Sequence, residues 1–313
     1  MKYTTLGFTI HRKCSASCKM CCFESTPGCK EKLDTDSIKK YILSTKENTE
    51  LAAISFTGGE PFLEYDILKD LIAFTSSNGK MPTCITNGYW ASEYDITLEK
   101  LKELKTLGLK RLNVSYDNFH KEYVRIGNII NILNAAKYLG IPTFLGMVRS
   151  KNDNVGILID ELGDSLTNVN IQIYSCFPVG GAKKVLDESD YIRNIKSEHL
   201  SCPYNGYLAV SYDGKIYPCC SQLVVDTELF VGNYSDVDYA NTLKKIKNNG
   251  ILYILRNYGL DFFIDVAKKE LSIDVPGFVT SPCELCAIFF TKDNINKFYP
   301  FVKEKIDTLL KKG

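Results

Sequence analysis

Cys14-Ser-Ala-Ser-Cys18-Lys-Met-Cys21 sets three thiols at a C-x3-C-x2-C spacing, and a fourth, Cys22, follows directly. The stretch comes just after a short β-like run at residues 4–10. Three cysteines this close can ligate three irons of one cubane cluster and leave the fourth iron open to a small molecule. The competing reading is a structural zinc knot, because zinc takes four N or S ligands, frequently as paired C-x2-C units. Adjacent cysteines such as Cys21 and Cys22 rarely ligate one tetrahedral ion, so iron–sulfur ligation by Cys14, Cys18 and Cys21 suits the spacing better.

Outward from that loop, apolar runs and helical faces alternate. Strands are expected at 4–10, 52–56, 83–86, 111–115, 143–148 and 170–174. Between them lie helical patterns such as Ile38, Tyr41, Ile42 behind an Asp34 N-cap, and Leu98, Leu101, Leu104, Leu107. Such alternation implies a parallel sheet with crossover connections. Six β–α units fall short of the eight that close a full barrel. The expected fold is therefore α/β, a partial six-unit TIM-like barrel, open enough on one side to admit a peptide. The polar motifs fall at strand ends, where ligands bind in parallel α/β folds.

After about residue 190 the pattern changes to a β-hairpin over 208–217 with an Asp213-Gly214 turn. A helical stretch follows around Leu243–Leu255, then Cys283-x2-Cys286, and a closing helix from 293 to the end. The expected division is a core at 1–190, a smaller cysteine-bearing unit at 191–292 and a C-terminal helix at 293–313.

The chain has 313 residues, a formal net charge of +1 and 45% hydrophobic residues. Nothing in that balance argues for nucleic acid or an anionic membrane. No segment has the apolar length of a membrane span, and the N-terminus lacks a signal peptide's pattern; the expected location is the cytoplasm. Twelve cysteines in such a chain argue for metal or redox chemistry rather than a disulfide scaffold.

The cysteine loop after the first strand, with Thr57-Gly58-Gly59-Glu60-Pro61 after the second, resembles the radical S-adenosylmethionine (SAM) superfamily. The resemblance covers most of the first 190 residues. It implies that the open iron of a 4Fe–4S cluster holds SAM, which is cleaved to a 5′-deoxyadenosyl radical. Met20 departs from it, since the residue before the third cysteine is usually aromatic. The resemblance gives Glu60 the SAM ammonium, with Gly58 and Gly59 allowing close backbone approach; a turn with a carboxylate at a helix start is the alternative. Asn87, Ser115 and Asp117 resemble positions that hold the ribose and the methionine carboxylate, although each fits a strand-end turn as well. Arg149 can pair with that carboxylate. His120 is either a substrate contact or a surface histidine.

Cys202, Gly214 and Cys219, at C-x11-G-x4-C, together with Cys283 and Cys286, resemble the auxiliary-cluster (SPASM/twitch-like) domain of peptide-modifying radical SAM enzymes. The resemblance implies a second 4Fe–4S cluster on Cys202, Cys219, Cys283 and Cys286; zinc on the same four is the alternative. Cys220 is left over. It is either a buried structural thiol or a hydrogen-atom donor that quenches a substrate radical from the opposite face, inverting a stereocentre.

Cys21-Cys-Phe23, Ser55–Glu60, Asn87-Gly-Tyr-Trp90, Ser115-Tyr-Asp117 with His120, and Tyr217-Pro-Cys-Cys220 together resemble the radical SAM peptide epimerases. These convert L-residues such as valine and isoleucine to D-residues in ribosomally made peptides. The expectation is such an epimerase, with SAM, two 4Fe–4S clusters, a precursor peptide, an electron donor such as flavodoxin or ferredoxin, and Cys220 as donor. The alternatives are a thioether-forming maturase of the same superfamily and a zinc-stabilised peptide-binding protein. Cys22, Cys29, Cys84 and Cys176 receive no role.

Overall fold

Two faces with different neighbours shape the first strand. The computed structural model describes residues 2–203 and 206–311. In β1 (Thr5–Thr9) Leu6 and Phe8 are fully buried on one side, and Thr5, Gly7 and Thr9 lie on the other, as the period of two in a strand requires. Next to it, in sequence order, stand β2 (Ala53–Thr57), β3 (Met81–Thr86), β4 (Arg111–Ser115), β5 (Thr143–Arg149) and β6 (Val169–Ser175). Their pairings are all parallel. Parallel neighbours need crossovers, and α1 (Thr35–Leu43), α2 (Tyr65–Ser77), α3 (Tyr94–Thr106), α4 (Ile126–Leu139) and α5 (Val155–Leu162) supply them.

The helices cover one face of the sheet. Leu6, Phe8, Ile54, Phe56, Leu112, Val114, Leu145 and Met147 are buried there with Ile42, Leu71, Leu104, Ile132 and Leu158 in one hydrophobic cluster. Each fully buried Leu or Ile contributes about 1.5–3 kcal/mol, so this face supplies most of the stability. The register places Ser55, Thr83, Arg111, Asn113 and Ser115 on the opposite, concave face. That face is largely polar, with Ile85 and Phe144 among its side chains, and opens towards β6, whose residues 170–174 are all exposed.

The expected fold class is observed, and the six strand limits shift by no more than two residues. α6 (Gly180–Val185) and a two-stranded sheet of β7 (Ile195–Lys196) and β10 (Phe278–Val279) have no counterpart in the sequence pattern. The hairpin expected at 208–217 forms as β8 (Tyr207–Val210) and β9 (Ile216–Tyr217). It does not stand apart: β8 pairs in parallel with the free edge of β1, making one sheet in the order 6-5-4-3-2-1-8-9. The residues that the sequence assigns to a smaller unit thus extend the core sheet.

Five helices follow: α7 (Tyr239–Lys247), α8 (Gly250–Tyr258), α9 (Asp261–Lys269), α10 (Pro282–Phe289) and α11 (Ile295–Leu310). Lys312 and Gly313, the end of the expected closing helix, lie outside the described residues. Phe263 meets Phe290 at 5.0 Å and Phe298 at 5.6 Å between ring centroids, near the edge-to-face geometry that aromatic pairs favour. This cluster clamps α9, α10 and α11 together and so fixes the helix that carries Cys283 and Cys286.

The Tyr41 hydroxyl on α1 bonds the Thr242 hydroxyl on α7 at 2.8 Å, both buried. Thr242 also donates to the Asp238 carbonyl, so it keeps a partner when the phenol is removed. Tyr41→Phe should therefore cost about 1 kcal/mol, read as a lowered midpoint in chemical denaturation at matched metal content.

Candidate active site

The cysteine loop is held at its base by backbone alone. Beyond β2, the Gly59 N–H donates to the His11 carbonyl (2.8 Å) and the Glu60 N–H to the Lys13 carbonyl (2.9 Å). A Cβ at Gly58 would stand 2.7 Å from the His11 carbonyl oxygen, and one at Gly59 would stand 2.0 Å from that of Lys13. The two glycines therefore admit the loop itself. On the other side, after β6, the Gly181 N–H donates to the Cys21 carbonyl (2.9 Å). A Cβ at Gly180 would lie 2.5 Å from the carbonyl oxygens of Cys21 and Cys22. Gly180-Gly181 is a positioning pair that the sequence reading missed. The signal was there, because this Gly-Gly follows an apolar strand as Gly58-Gly59 does.

Three further ties complete the grip. Arg12 donates through Nε to the Phe23 carbonyl (2.7 Å) and pairs with Glu31 (2.7 Å). The Tyr123 hydroxyl donates to the Ser17 carbonyl (2.9 Å). Met20 packs against the Cys176, Ala182 and Tyr191 group. The sulfurs receive donors: Asn87 Nδ2 lies 3.5 Å from Cys14 Sγ, and the Ser25 N–H lies 3.4 Å from Cys21 Sγ. Such donors suit sulfurs that carry negative charge on a metal. Burial pushes the Cys14 thiol up to about 11 and also raises Cys18, so these thiols keep their protons until a metal's charge replaces them.

Glu60 is fully buried between the ends of β2 and β3. Its Oε1 accepts from the Thr86 hydroxyl (2.8 Å) and the Phe62 N–H (3.1 Å), and its Oε2 accepts from the Asn87 N–H (2.7 Å). A carboxylate offers about four acceptor positions, which leaves one on Oε2. Burial, only partly offset by these donors, raises its pKa to about 7.

Asn87 is committed to the loop, donating to Ser15 Oγ (3.1 Å) as well as to Cys14. Ser115 ends β4, half-buried. Asp117 is heavily engaged within the protein. Its Oδ1 accepts from the Phe119 N–H, the His120 N–H and His120 Nδ1, and its Oδ2 accepts from the Val148 N–H. It thereby ties the end of β4 to β5 and holds His120, which is buried, and one acceptor position is left on Oδ2. Arg149 closes β5 with an exposed side chain.

Cys202, Cys219, Cys283 and Cys286 come together around one cavity, walled by Val224, Leu229, Leu252 and Leu255. Among the described residues, no three His, Cys, Asp or Glu side chains converge as ligands of a single ion do; the four thiols ring a space. Burial raises the pKa of Cys219 and Cys286, and lifts Cys283 to about 11. Cys220 is not part of the ring and is exposed. Its sulfur is shielded enough to lift its pKa to about 11, and its charge is felt at Tyr174 on β6, whose phenol pKa is raised first by burial and then by this thiol. Cys22 turns the other way, into an apolar cluster with Phe177, Val179, Leu223 and Cys283.

Residues 8–155 match the model of the Radical SAM superfamily. Over 309 residues, 96% of each chain, the sequence is 31% identical to YydG of Bacillus subtilis (strain 168), which is provisionally named a peptide biosynthesis protein. The chain belongs to the radical SAM superfamily, and membership implies SAM and a 4Fe–4S cluster. It is also 26% identical over 229 residues to the GTP 3′,8-cyclase of Clostridium botulinum (strain Okra / Type B1), covering 68% of this chain and 67% of that protein. The crystal structure of BtrN in complex with AdoMet and 2-DOIA shares the fold, with a TM-score of 0.50, 16% identity and coverage of 82% of this chain and 88% of that one.

Two variants probe the base of the loop. Gly59→Ala drives a Cβ into the Lys13 carbonyl, so the purified protein should fold with its cysteine loop displaced and carry less iron and sulfide than wild type. Glu60 has a folded pKa above its ordinary 4.5. The folded state then binds the extra proton, and Glu60 destabilises progressively as pH rises from 4.5 through 7. Glu60→Gln should remove that slope, on the order of 3 kcal/mol across the window. Denaturation midpoints of both proteins at several pH values measure it.

Proposed function

We propose that the chain is a radical SAM peptide epimerase that inverts residues of the valine and isoleucine type in a ribosomally made peptide. One observation carries the reading: Cys220 follows Cys219 directly, yet it stands outside the four-cysteine ring and is exposed. The full-length likeness to a protein named for peptide biosynthesis supports a peptide substrate, and the concave sheet face, open at β6, offers it a place.

In this reading Cys14, Cys18 and Cys21 hold the first 4Fe–4S cluster. Glu60 offers its remaining acceptor to the SAM ammonium. Gly58 and Gly59 keep the loop in place, Asn87 and Ser115 face the ligand from the strand ends, and Arg149 takes its carboxylate. Asp117 acts through the positions of β4, β5 and His120. When bound, the cluster and SAM supply a 5′-deoxyadenosyl radical that takes a hydrogen atom from the substrate α-carbon. Cys220 then returns a hydrogen atom from its S–H to the other face. The carbon regains its fourth bond with inverted configuration, and the sulfur, left one electron and one proton short, is restored by the reductant.

Cys202, Cys219, Cys283 and Cys286 hold a second 4Fe–4S cluster beside that sulfur, a route for the electron. Four protein ligands leave no open iron for a substrate cysteine, which disfavours the thioether-forming alternative. Residues 1–190 act as the radical-generating core and 191–292 as the auxiliary unit, with 293–313 closing it. The reductant is a protein of the flavodoxin or ferredoxin type, and the unpaired thiols suit the cytoplasm.

Turnover of a peptide substrate in deuterated water tests the proposal. The product should carry one deuterium at the inverted α-carbon, because the Cys220 thiol exchanges with solvent. Cys220→Ala should cleave SAM with wild-type iron content and form no D-residue. A two-hydrogen mass loss, or D-residue formation by the variant, would overturn the assignment.

A further inference from the structure

The barrel's concave face holds polar groups that nothing among the described residues satisfies. Thr83 pairs in register with Arg111, and Asn113 pairs with Phe144 on the next strand. All belong to the face opposite the buried Cys84, Leu112 and Val114. Thr83 Oγ1, Arg111 Nε and Asn113 Oδ1 are buried with no hydrogen-bond partner. Folded proteins leave few such groups unpaired, and here three lie together on adjacent strands.

Arg111 stands apart from the paired arginines. Arg12 has Glu31, and Arg193 has Glu188 and Glu284. Among the described residues Arg111 has neither an ion pair nor a side-chain hydrogen bond, and its guanidinium lies 5.2 Å from the centre of the Phe144 ring. The cation–π contact holds the guanidinium on that ring while its Nε–H has no partner among the described residues, and a planar fork with unused N–H groups can receive a carboxylate through two parallel bonds. Thr83 can donate through its hydroxyl, and Asn113 can turn its amide to donate as well.

We propose that Arg111, with Asn113 and Thr83, forms a carboxylate-binding floor in the barrel that seats an acidic group of the peptide substrate. This rests on the peptide-substrate reading above. Arg111 begins β4 and Ser115 ends it, so the floor lies roughly 13 Å below the strand ends at about 3.3 Å per residue. An extended peptide advances by the same rise, which places the carboxylate about four residues from the carbon that reacts. An acidic side chain and a free C-terminus offer the same chemistry.

The test uses the cluster-loaded enzyme with SAM and fluorescein-labelled alanine peptides built around one valine. One set carries Glu four residues to either side of the valine, a second carries Gln there and is amidated, and a third ends at that position in a free carboxylate. Binding is read by fluorescence anisotropy. Glu should bind at least about tenfold more tightly than Gln, and tight binding by the third set would show that a chain terminus serves too. The preference should vanish in Arg111→Gln. It should also vanish in Asn113→Asp, which places a carboxylate beside the guanidinium from within the protein. Iron content and circular dichroism matching wild type verify the variants.

Equal binding of Glu and Gln peptides, persistence of the preference in Arg111→Gln, or no binding by any peptide would overturn the proposal. Chiral amino-acid analysis of the same mixtures separates it from the epimerase reading. Arg111-dependent binding without D-valine leaves the floor standing and removes the epimerase, and D-valine formed without regard to Glu or Arg111 does the reverse.

Discussion

The contact of Gly58–Glu60 with His11–Lys13 is the constraint on which the rest of the site depends. Backbone runs against backbone there, at a separation that leaves no room for a Cβ on either glycine. Hydrogen bonds from Gly59 and Glu60 carry the β1–β2 pairing past the ends of both strands and deliver the chain to Cys14 in one conformation. The opposite wall uses the same device at Gly180-Gly181, and Asn87 reaches in from β3 to Ser15 and Cys14. A loop proposed to present three sulfurs to one cluster cannot rely on its own short sequence for rigidity. It takes that rigidity from three strand ends.

The two faces of the sheet divide the remaining work. The helical face is closed with aliphatic and aromatic side chains and carries the stability. The concave face keeps Thr83, Arg111 and Asn113 partly unsatisfied, at a cost of about 1–3 kcal/mol for each unpaired buried group. Such a cost persists only where the other face supplies a surplus. Because strand residues alternate, both properties come from the same five or six residues of each strand, so the lumen cannot be altered without regard to the core behind it.

Much of this was legible in the sequence, because period-two and period-3.6 patterns report burial directly. Strands and their order were readable for that reason, and so were the Cys14–Cys21 loop and the Gly58-Gly59-Glu60 turn. Three features were not. The pairing of β8 with β1 joins residues about 200 positions apart, and periodicity carries no information on which edge a hairpin finds. Asp117 looks like a free acceptor in the sequence, and only three dimensions show the Val148 N–H arriving from β5 to occupy its second oxygen. Arg111 reads as an ordinary polar residue opening a strand. Its lack of a partner is a property of everything around it, and no local motif records that.

Two adjacent pairs, Cys21-Cys22 and Cys219-Cys220, show how packing turns one sequence feature into different chemistry. In each pair the first sulfur belongs to a proposed ligand set, and the backbone geometry that aims it turns its neighbour elsewhere. For Cys22 that direction leads against an apolar cluster of Phe177, Val179, Leu223 and Cys283, where burial raises the thiol well above its ordinary pKa. For Cys220 it leads to the surface. A hydrogen-atom donor has to meet a carbon from outside the protein, so the second pair is the better placed to supply one. The packed thiol has a different consequence: with Cys22 and Cys283 in one cluster, the cysteine loop and α10 share a wall. A shift at either proposed centre is therefore felt at the other through direct contact.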